Sequence, residues 1–284
     1  MKKKHYVVKV SILEEQYEKF VALISDLNIV GVVEGLDLLE IFFDEIDWNE
    51  GIIDEMKSYL EDSDIKYEII NFEVIEEQNW NEEWEKNITV VDVSENIAIT
   101  PSWRVDETDK PIKVIIDPKM SFGTGHHSTT KLISQLMENS IIKDSNCIDI
   151  GTGTGVLAIL AIKLGAKYCL AFDNDEWSID NAIENLELNN VKDKIDIKQI
   201  DIDSTDLSEM GTFEHIFANL FFPLIMRTME NFAKALDKTK GTLFVSGIMI
   251  FDRDEVIKKA KSCGFELIEL KEEDEWSGFK FQKL

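Results

Sequence analysis

Cysteine is scarce, with only Cys147, Cys169 and Cys263 in 284 residues. An odd count is no disulfide framework. Two of the three fall inside apolar runs that read as strands, so they are expected to be small buried hydrophobes in a reducing compartment. Long hydrophobic runs are missing as well. No segment reaches membrane-spanning length, and Val7-Val8-Lys9-Val10 behind the basic start is too short for a secretory signal. A cytosolic protein with no membrane partner is expected. Histidine is limited to four residues; His126 and His127 are adjacent, without Cys or carboxylate at ligand spacing, and no metal is expected. Positive charge is in short supply, 30 Lys+Arg against 56 Asp+Glu for a net charge of −26. Such a surface repels phosphates, which argues against direct nucleic-acid binding. The deficit is uneven, because residues 1–80 carry 7 Lys+Arg against 20 Asp+Glu. A basic protein is the natural partner for that acidic end, and plain solubility is the alternative.

The length suits two domains with real cores. Residues 5–12 read as a strand and Glu14 to Leu27 as a helix with Tyr17, Phe20, Val21 and Ile24 on one face. Strands at 29–34 and 38–43, a helix over Ile52 to Leu60 and a strand over Ile65 to Ile75 complete the order strand, helix, strand, strand, helix, strand. That order predicts a small ferredoxin-like α/β domain over residues 1–77. Residues 78–110 read as a linker leading into the second domain, with Trp80, Trp84, Pro101 and Trp103 among charges. Over residues 111–284 strands and helices alternate as a parallel sheet demands, and two closing strands, Glu266 to Leu270 and Gly278 to Gln282, are near enough to pair antiparallel.

The most specific pattern lies within that second domain. The apolar run Asn146 to Ile150 breaks into Gly151-Thr152-Gly153-Thr154-Gly155 and resumes as the amphipathic stretch Val156 to Leu164, a strand, a glycine turn and a helix. A second apolar run ends in Asp173, 22 residues after Gly151, which is the length that one helix and two turns need to reach the neighbouring strand. A carboxylate there can take both hydroxyls of a ribose. Glycines at 151 and 153 clear side chains from where a nucleoside approaches, and the helix start offers unpaired N–H groups. The spacing is G-x-G-x-G, where a dinucleotide fold wants G-x-G-x-x-G. Asp149 at the strand end repels a pyrophosphate and suits an ammonium. S-adenosylmethionine carries adenosine and an ammonium but no phosphate, and it is the cofactor expected.

Upstream, Asp117-Pro118-Lys119-Met120-Ser121-Phe122-Gly123-Thr124-Gly125-His126-His127-Ser128-Thr129-Thr130 opens a helix running to Met137. Backbone can approach a ligand at Thr124 and Gly125, and the hydroxyls that follow can cap the helix or meet the cofactor. The stretch from Phe122 to Thr130, the Asp149 to Gly155 loop, Asp173, Ala218-Asn219-Leu220 and Ser246-Gly247-Ile248 together resemble the ribosomal protein L11 methyltransferases. Trp80-Asn81-Glu82-Glu83-Trp84 and Pro101-Ser102-Trp103-Arg104 look like that family's linker. The resemblance spans residues 78 to 276; over 1–77 only the inferred fold agrees. It implies a Rossmann-like seven-stranded methyltransferase sheet, with the small domain recognising substrate. It also implies S-adenosylmethionine-dependent methylation of lysine side chains or the α-amine of a large-subunit ribosomal protein, itself typically basic. Thr130, Gly151, Asp173 and Asn219 align with cofactor-contacting positions. Asp201 would meet the adenine amine, or is a solvated turn acid beside Asp203.

Asn219 precedes Leu220-Phe221-Phe222-Pro223 and not the Pro-Pro-Tyr of enzymes that methylate adenine or glutamine amides, which counts against a base as substrate. Catalysis is expected from Asn219, accepting a hydrogen bond from the amine, and from Phe122, lining an apolar mouth with Phe221 or Phe222. No dedicated general base stands out beyond a minor claim for His126 or His127. Two other readings share the cofactor residues: a methyltransferase for another protein or a small amine, and a non-catalytic assembly factor that keeps the pocket.

Overall fold

The structure of the protein, a computed structural model, describes residues 4–49, 51–61, 63–76, 88–119 and 121–284. Trp80 to Trp84 and Met120, named above, lie outside the described residues. The chain divides into two compact units, Met1–Asn87 and Ile88–Leu284.

In the first unit β1 (Lys4–Ile12), β2 (Ile29–Gly35), β3 (Leu38–Asp44) and β4 (Tyr67–Glu76) form an antiparallel sheet in the order β2-β3-β1-β4. The helices α1 (Tyr17–Leu23) and α2 (Ile52–Leu60) follow β1 and β3. This is the ferredoxin-like arrangement that the element order predicts. Alternation sends Val8, Val10, Leu39, Ile41 and Phe43 to one face, where Phe20, Ile24, Met56 and Leu60 of the helical segments close the core. The first helical segment departs from expectation. It starts as a 3-10 turn over Glu14–Gln16, and α1 stops at Leu23. There the chain folds into turns in which Ser25 Oγ donates to the Ala22 carbonyl and Leu27 N–H to that of Ile24.

The second unit is built on β8 (Asn146–Ile150), β9 (Tyr168–Asp173), β10 (Ile195–Gln199), β11 (His215–Asn219), β12 (Thr242–Met249), β13 (Phe265–Glu273) and β14 (Trp276–Lys283). Their order is β10-β9-β8-β11-β12-β14-β13, with β10 to β12 parallel through β8 and the closing hairpin antiparallel. It is the Rossmann-like seven-stranded methyltransferase sheet. The helices are α3 (Ser128–Met137), α4 (Val156–Lys163), α5 (Glu176–Leu188), α6 (Phe222–Ala235) and α7 (Arg253–Ser262). Two apolar layers cover the sheet, one around α4 with Phe217 and Phe244, the other around α6 with Ile225, Phe232 and Phe265. Helix α4 is not amphipathic as its sequence suggested. Every residue from Val156 to Ile162 is buried, because β7 (Ile112–Ile115) and the neighbouring helices cover the side away from β8 and β9.

Residues 88–110 are more ordered than a linker. They include β5 (Val91–Asp92), β6 (Ile97–Thr100) and a 3-10 segment over Ser102–Glu107, and β5-β6-β7 form a separate small sheet within the second unit. Ile97, Ala98 and Ile99 are almost wholly buried, a run too short and too continuous for a period to show in sequence.

Candidate functional site

The parallel strands end at a cleft of about 560 Å³ where the strand order reverses between β8 and β11, the usual ligand position in such sheets. From β9, β10 and the turns after them come Phe172, Asp173, Asn174, Ile200, Asp201, Ile202 and Asp203. From the other half come His127, Thr129, Asn219, Leu220, Phe221 and Trp276, with Phe122 at the mouth and Gly151 and Gly153 between.

The glycine loop is shaped by its own surroundings as much as by any ligand. At Gly153 (φ +53°) a Cβ would lie 2.2 Å from the Phe122 carbonyl oxygen, and at Gly151 (φ +69°) 2.5 Å from Leu220 Cδ2. Both positions therefore need glycine before anything binds. The Asp173 carboxylate is oriented by two backbone donors, Gly153 N–H at 3.0 Å and Asp175 N–H at 3.1 Å. Asp149 sits beneath the loop, 1 % exposed, and does not line the cleft. Its Oδ2 accepts from Thr152 Oγ1 at 2.6 Å and from Ala158 N–H at 3.2 Å, while its Oδ1 has no partner. Burial pushes this carboxyl up to about 7, the two hydrogen bonds holding it down in part and the nearby Asp173 charge adding to the rise. What Asp149 offers a ligand is a field acting through the loop.

On the opposite side, α3 begins at His127. Its Nδ1 accepts Thr129 N–H at 3.3 Å and lies 2.8 Å from Thr129 Oγ1, capping the helix. The ring packs between Phe122 (5.4 Å between centroids) and Trp276 (4.9 Å). His126 lies outside the cleft beside Thr89 and Thr124. Asn219, at the end of β11, donates from Nδ2 to Thr130 Oγ1 at 3.4 Å, and its Oδ1 is buried without a partner.

The structure thus gathers Phe122, Gly151, Gly153, Asp173, Asp201 and Asn219 in one cleft. Thr124, Gly125, Thr130 and Asp149 stand outside its lining; Thr130 is fully buried behind Asn219, and Gly125 packs on Ile99. The two phenylalanines after Leu220 separate. Phe221 is 58 % exposed and lines the cleft, whereas Phe222 packs on the core. Among the described residues no cluster of His, Cys, Asp or Glu is suited to a metal, and no helix is long and apolar enough to cross a membrane.

Three features escaped the sequence reading. Arg227 of α6 pairs with Asp203 and lies over the Phe221 ring at 5.9 Å. Trp276, at the start of β14, reaches the cleft from the far end of the chain. Asn181 and Asn185 of α5 and Asn189 at its C-terminal cap, four residues apart, hold the backbone at Ile115 and Asp117 and so carry the strand that leads into the Phe122 loop. The four-residue asparagine spacing was the one available signal.

A family model described as ribosomal protein L11 methyltransferase (PrmA) matches residues 4–284. The chain belongs to this family, whose members are protein methyltransferases. It is 37 % identical to the ribosomal protein L11 methyltransferase of Bacteroides thetaiotaomicron over 224 residues, 78 % of this chain and 77 % of that protein. The same-named protein of Chlorobaculum parvum is 31 % identical over 282 residues, 96 % of this chain and 94 % of that protein, so the likeness extends into the acidic first unit. Among solved structures, a ribosomal protein L11 methylase from Lactobacillus delbrueckii subsp. bulgaricus superposes with a TM-score of 0.62 at 27 % identity, covering 68 % of this chain and 98 % of that one.

Proposed function

We propose that this methyltransferase takes its methyl group from S-adenosylmethionine held in the cleft and transfers it to amino groups, lysine side chains or the α-amine, of ribosomal protein L11. The observation that carries the cofactor reading is the charge of the lining. Arg227 is the one cation among the described lining residues, and Asp203 already neutralises it, while Asp173 and Asp201 add carboxylates. A phosphate would find no free positive partner, whereas a phosphate-free nucleoside bearing positive charge meets a complementary wall. The residues present fit that group. Asp173 would take the ribose hydroxyls, Asp201 the adenine amine, and Phe172, Ile200, Ile202 and Leu224 the faces of the base. Gly151 and Gly153, with Asp149 beneath, would receive the amino-acid end, and Thr130 would act through Asn219. The group supplies an already activated sulfonium methyl.

The chain's own task is to deliver a neutral amine in line. A lysine, with an ordinary pKa of about 10.4, is protonated at pH 7. The mouth formed by Phe122, Leu220, Phe221 and Trp276 desolvates it and favours loss of the proton. The rings of Phe122 and Trp276 line the cleft and would hold a methylated ammonium by cation–π contact. The unpartnered Oδ1 of Asn219 accepts a hydrogen bond from the amine and aims its lone pair. His127 Nδ1 already accepts the Thr129 N–H, and the amine proton would leave to water.

The first unit, residues 1–77 with the segment up to 87, would dock the substrate. Residues 1–77 carry half the negative excess and, among the described residues, none that lines the cleft, and ribosomal proteins are typically basic; direct nucleic-acid binding is not part of this reading. Cytoplasmic action agrees with three free cysteines, two of them buried. The test is to incubate the full-length enzyme and residues 88–284 separately with labelled S-adenosylmethionine and L11. The full chain should label L11, less efficiently as salt rises because exposed charges are screened over about 8–10 Å. The shorter chain should bind cofactor yet fail to label. Label on another protein, or none despite tight binding, would replace this reading with a different substrate or with an assembly factor.

A further inference from the structure

We infer that Thr154 is a positioning residue that locks the acceptor side of the cleft to the glycine loop. Thr154 is fully buried and touches neither the cleft nor solvent. Its N–H donates to the Phe122 carbonyl at 3.0 Å and its hydroxyl to the Gly123 carbonyl at 2.8 Å. The same two loops meet without slack, since a Cβ on Gly123 would lie 2.6 Å from Thr154 Oγ1 and one on Gly153 2.2 Å from the Phe122 oxygen. Helix α5 grips both partners through one side chain. Asn185 Nδ2 donates to the Thr154 carbonyl at 3.0 Å, and Asn185 Oδ1 accepts Asp117 N–H at 3.0 Å. From Phe122 the contact continues through the His127 ring to Trp276. The glycine loop that receives the cofactor therefore sets the position of the rings that desolvate the amine. The inference rests on the proposed placement of cofactor and amine, and it deepens that reading by naming the residue that joins the two half-sites.

Valine at 154 keeps the shape and the backbone bond but leaves the Gly123 carbonyl without its donor, whereas serine keeps the donor. In the full chain, Thr154→Val should bind S-adenosylhomocysteine within about three-fold of wild type by calorimetry yet lose at least about ten-fold in kcat on L11, with Thr154→Ser restoring kcat to within about three-fold. In the wild type, adding S-adenosylhomocysteine should slow hydrogen exchange at Gly123, Thr124, Gly125 and His126, none of which lines the cleft. Four results would each overturn the assignment: an unchanged kcat in Thr154→Val, an equal loss in affinity and kcat, failure of serine to rescue, or exchange at residues 123–126 indifferent to the ligand. A wild type that does not bind S-adenosylhomocysteine at all would instead overturn the cofactor reading and this inference with it.

Discussion

Replacing Asp149 with asparagine should make the protein more stable above neutral pH while weakening its hold on a cationic ligand. The carboxyl is buried, with a folded-state pKa of about 7 against an ordinary 3.8. Between pH 4 and 7 the folded protein keeps a proton that the unfolded chain has released, so stability is fully present below about pH 4 and is lost as pH rises through 7. At about 1.4 kcal/mol per unit the ionised carboxylate costs about 4 kcal/mol at pH 8.5. The amide oxygen of the Asp149→Asn variant can still accept from Thr152 Oγ1 and Ala158 N–H, but the amide NH₂ then occupies the place of the unpartnered Oδ1 and forfeits about 1–3 kcal/mol. The net gain is about 1–3 kcal/mol, or roughly 2–12 °C in Tm for a unit of this size. Thermal unfolding of wild type and Asp149→Asn at pH 5 and pH 8.5 reads it directly. The variant should unfold higher at pH 8.5 only, and calorimetry there should show weaker S-adenosylhomocysteine binding. A variant less stable than wild type at pH 8.5, or an unchanged difference between the two pH values, would refute the assignment of a strained buried charge.

Asp173→Ala should weaken S-adenosylhomocysteine binding by ten-fold or more, because it removes charge-assisted bonds worth roughly 1.5–3 kcal/mol and releases Gly153 N–H; calorimetry on the folded variant decides, and unchanged affinity would remove Asp173 from the ribose site. Asn219→Ala should cut turnover on L11 by more than it cuts cofactor affinity, since aiming the amine matters chiefly at the transition state, and equal losses would leave it a binding residue. His215, buried against Phe217 and Phe244 with Nε2 accepting Ile142 N–H, has its pKa pushed down to about 4 by burial and, secondarily, by Lys280. The unfolded chain takes up that proton first as pH falls below 6.5, so His215 should withdraw about 2 kcal/mol of stability by pH 5; urea titrations should show His215→Gln gaining about that much relative to wild type between pH 7 and pH 5, the opposite Asp149 trend being common to both proteins.

The parts of the fold legible in the sequence were those whose signal is local. Ile52 to Leu60 has a clean apolar face and forms α2 over those residues, and the strand, glycine and helix succession from Asn146 places β8, the loop and α4. The ferredoxin-like order followed from six short segments, because few sheet orders accommodate that succession. Local pattern said less about what neighbours do to a segment. Helix α4 looked two-sided until β7 covered its second face, and residues 88–110 looked like linker because β5 and β6 are two and four residues long. The candidate site divides in the same way. Gly151, Gly153, Asp173 and Asn219 stand at strand ends where the topology delivers them to the cleft. Trp276 arrives from a hairpin near the C-terminus, and Arg227 from the second turn of a helix, with nothing nearby in sequence to mark either one.

The two demands that the proposed reaction makes on this cleft conflict electrostatically, and the sheet order separates them. Holding a cationic nucleoside calls for carboxylates, while an amine that must shed its proton is kept charged by any carboxylate beside it. Asp173, Asp201 and Asp203 all come from β9, β10 and the turns that follow, on one side of the strand reversal; Phe122, His127, Asn219, Leu220 and Trp276 come from the loop before α3 and from β11 and β14. The buried Asp149 between them is near its titration midpoint at neutral pH, and Arg227 cancels Asp203. On the proposed reading, separation by topology lets one cleft favour positive charge at its nucleoside end and disfavour it where the amine would react.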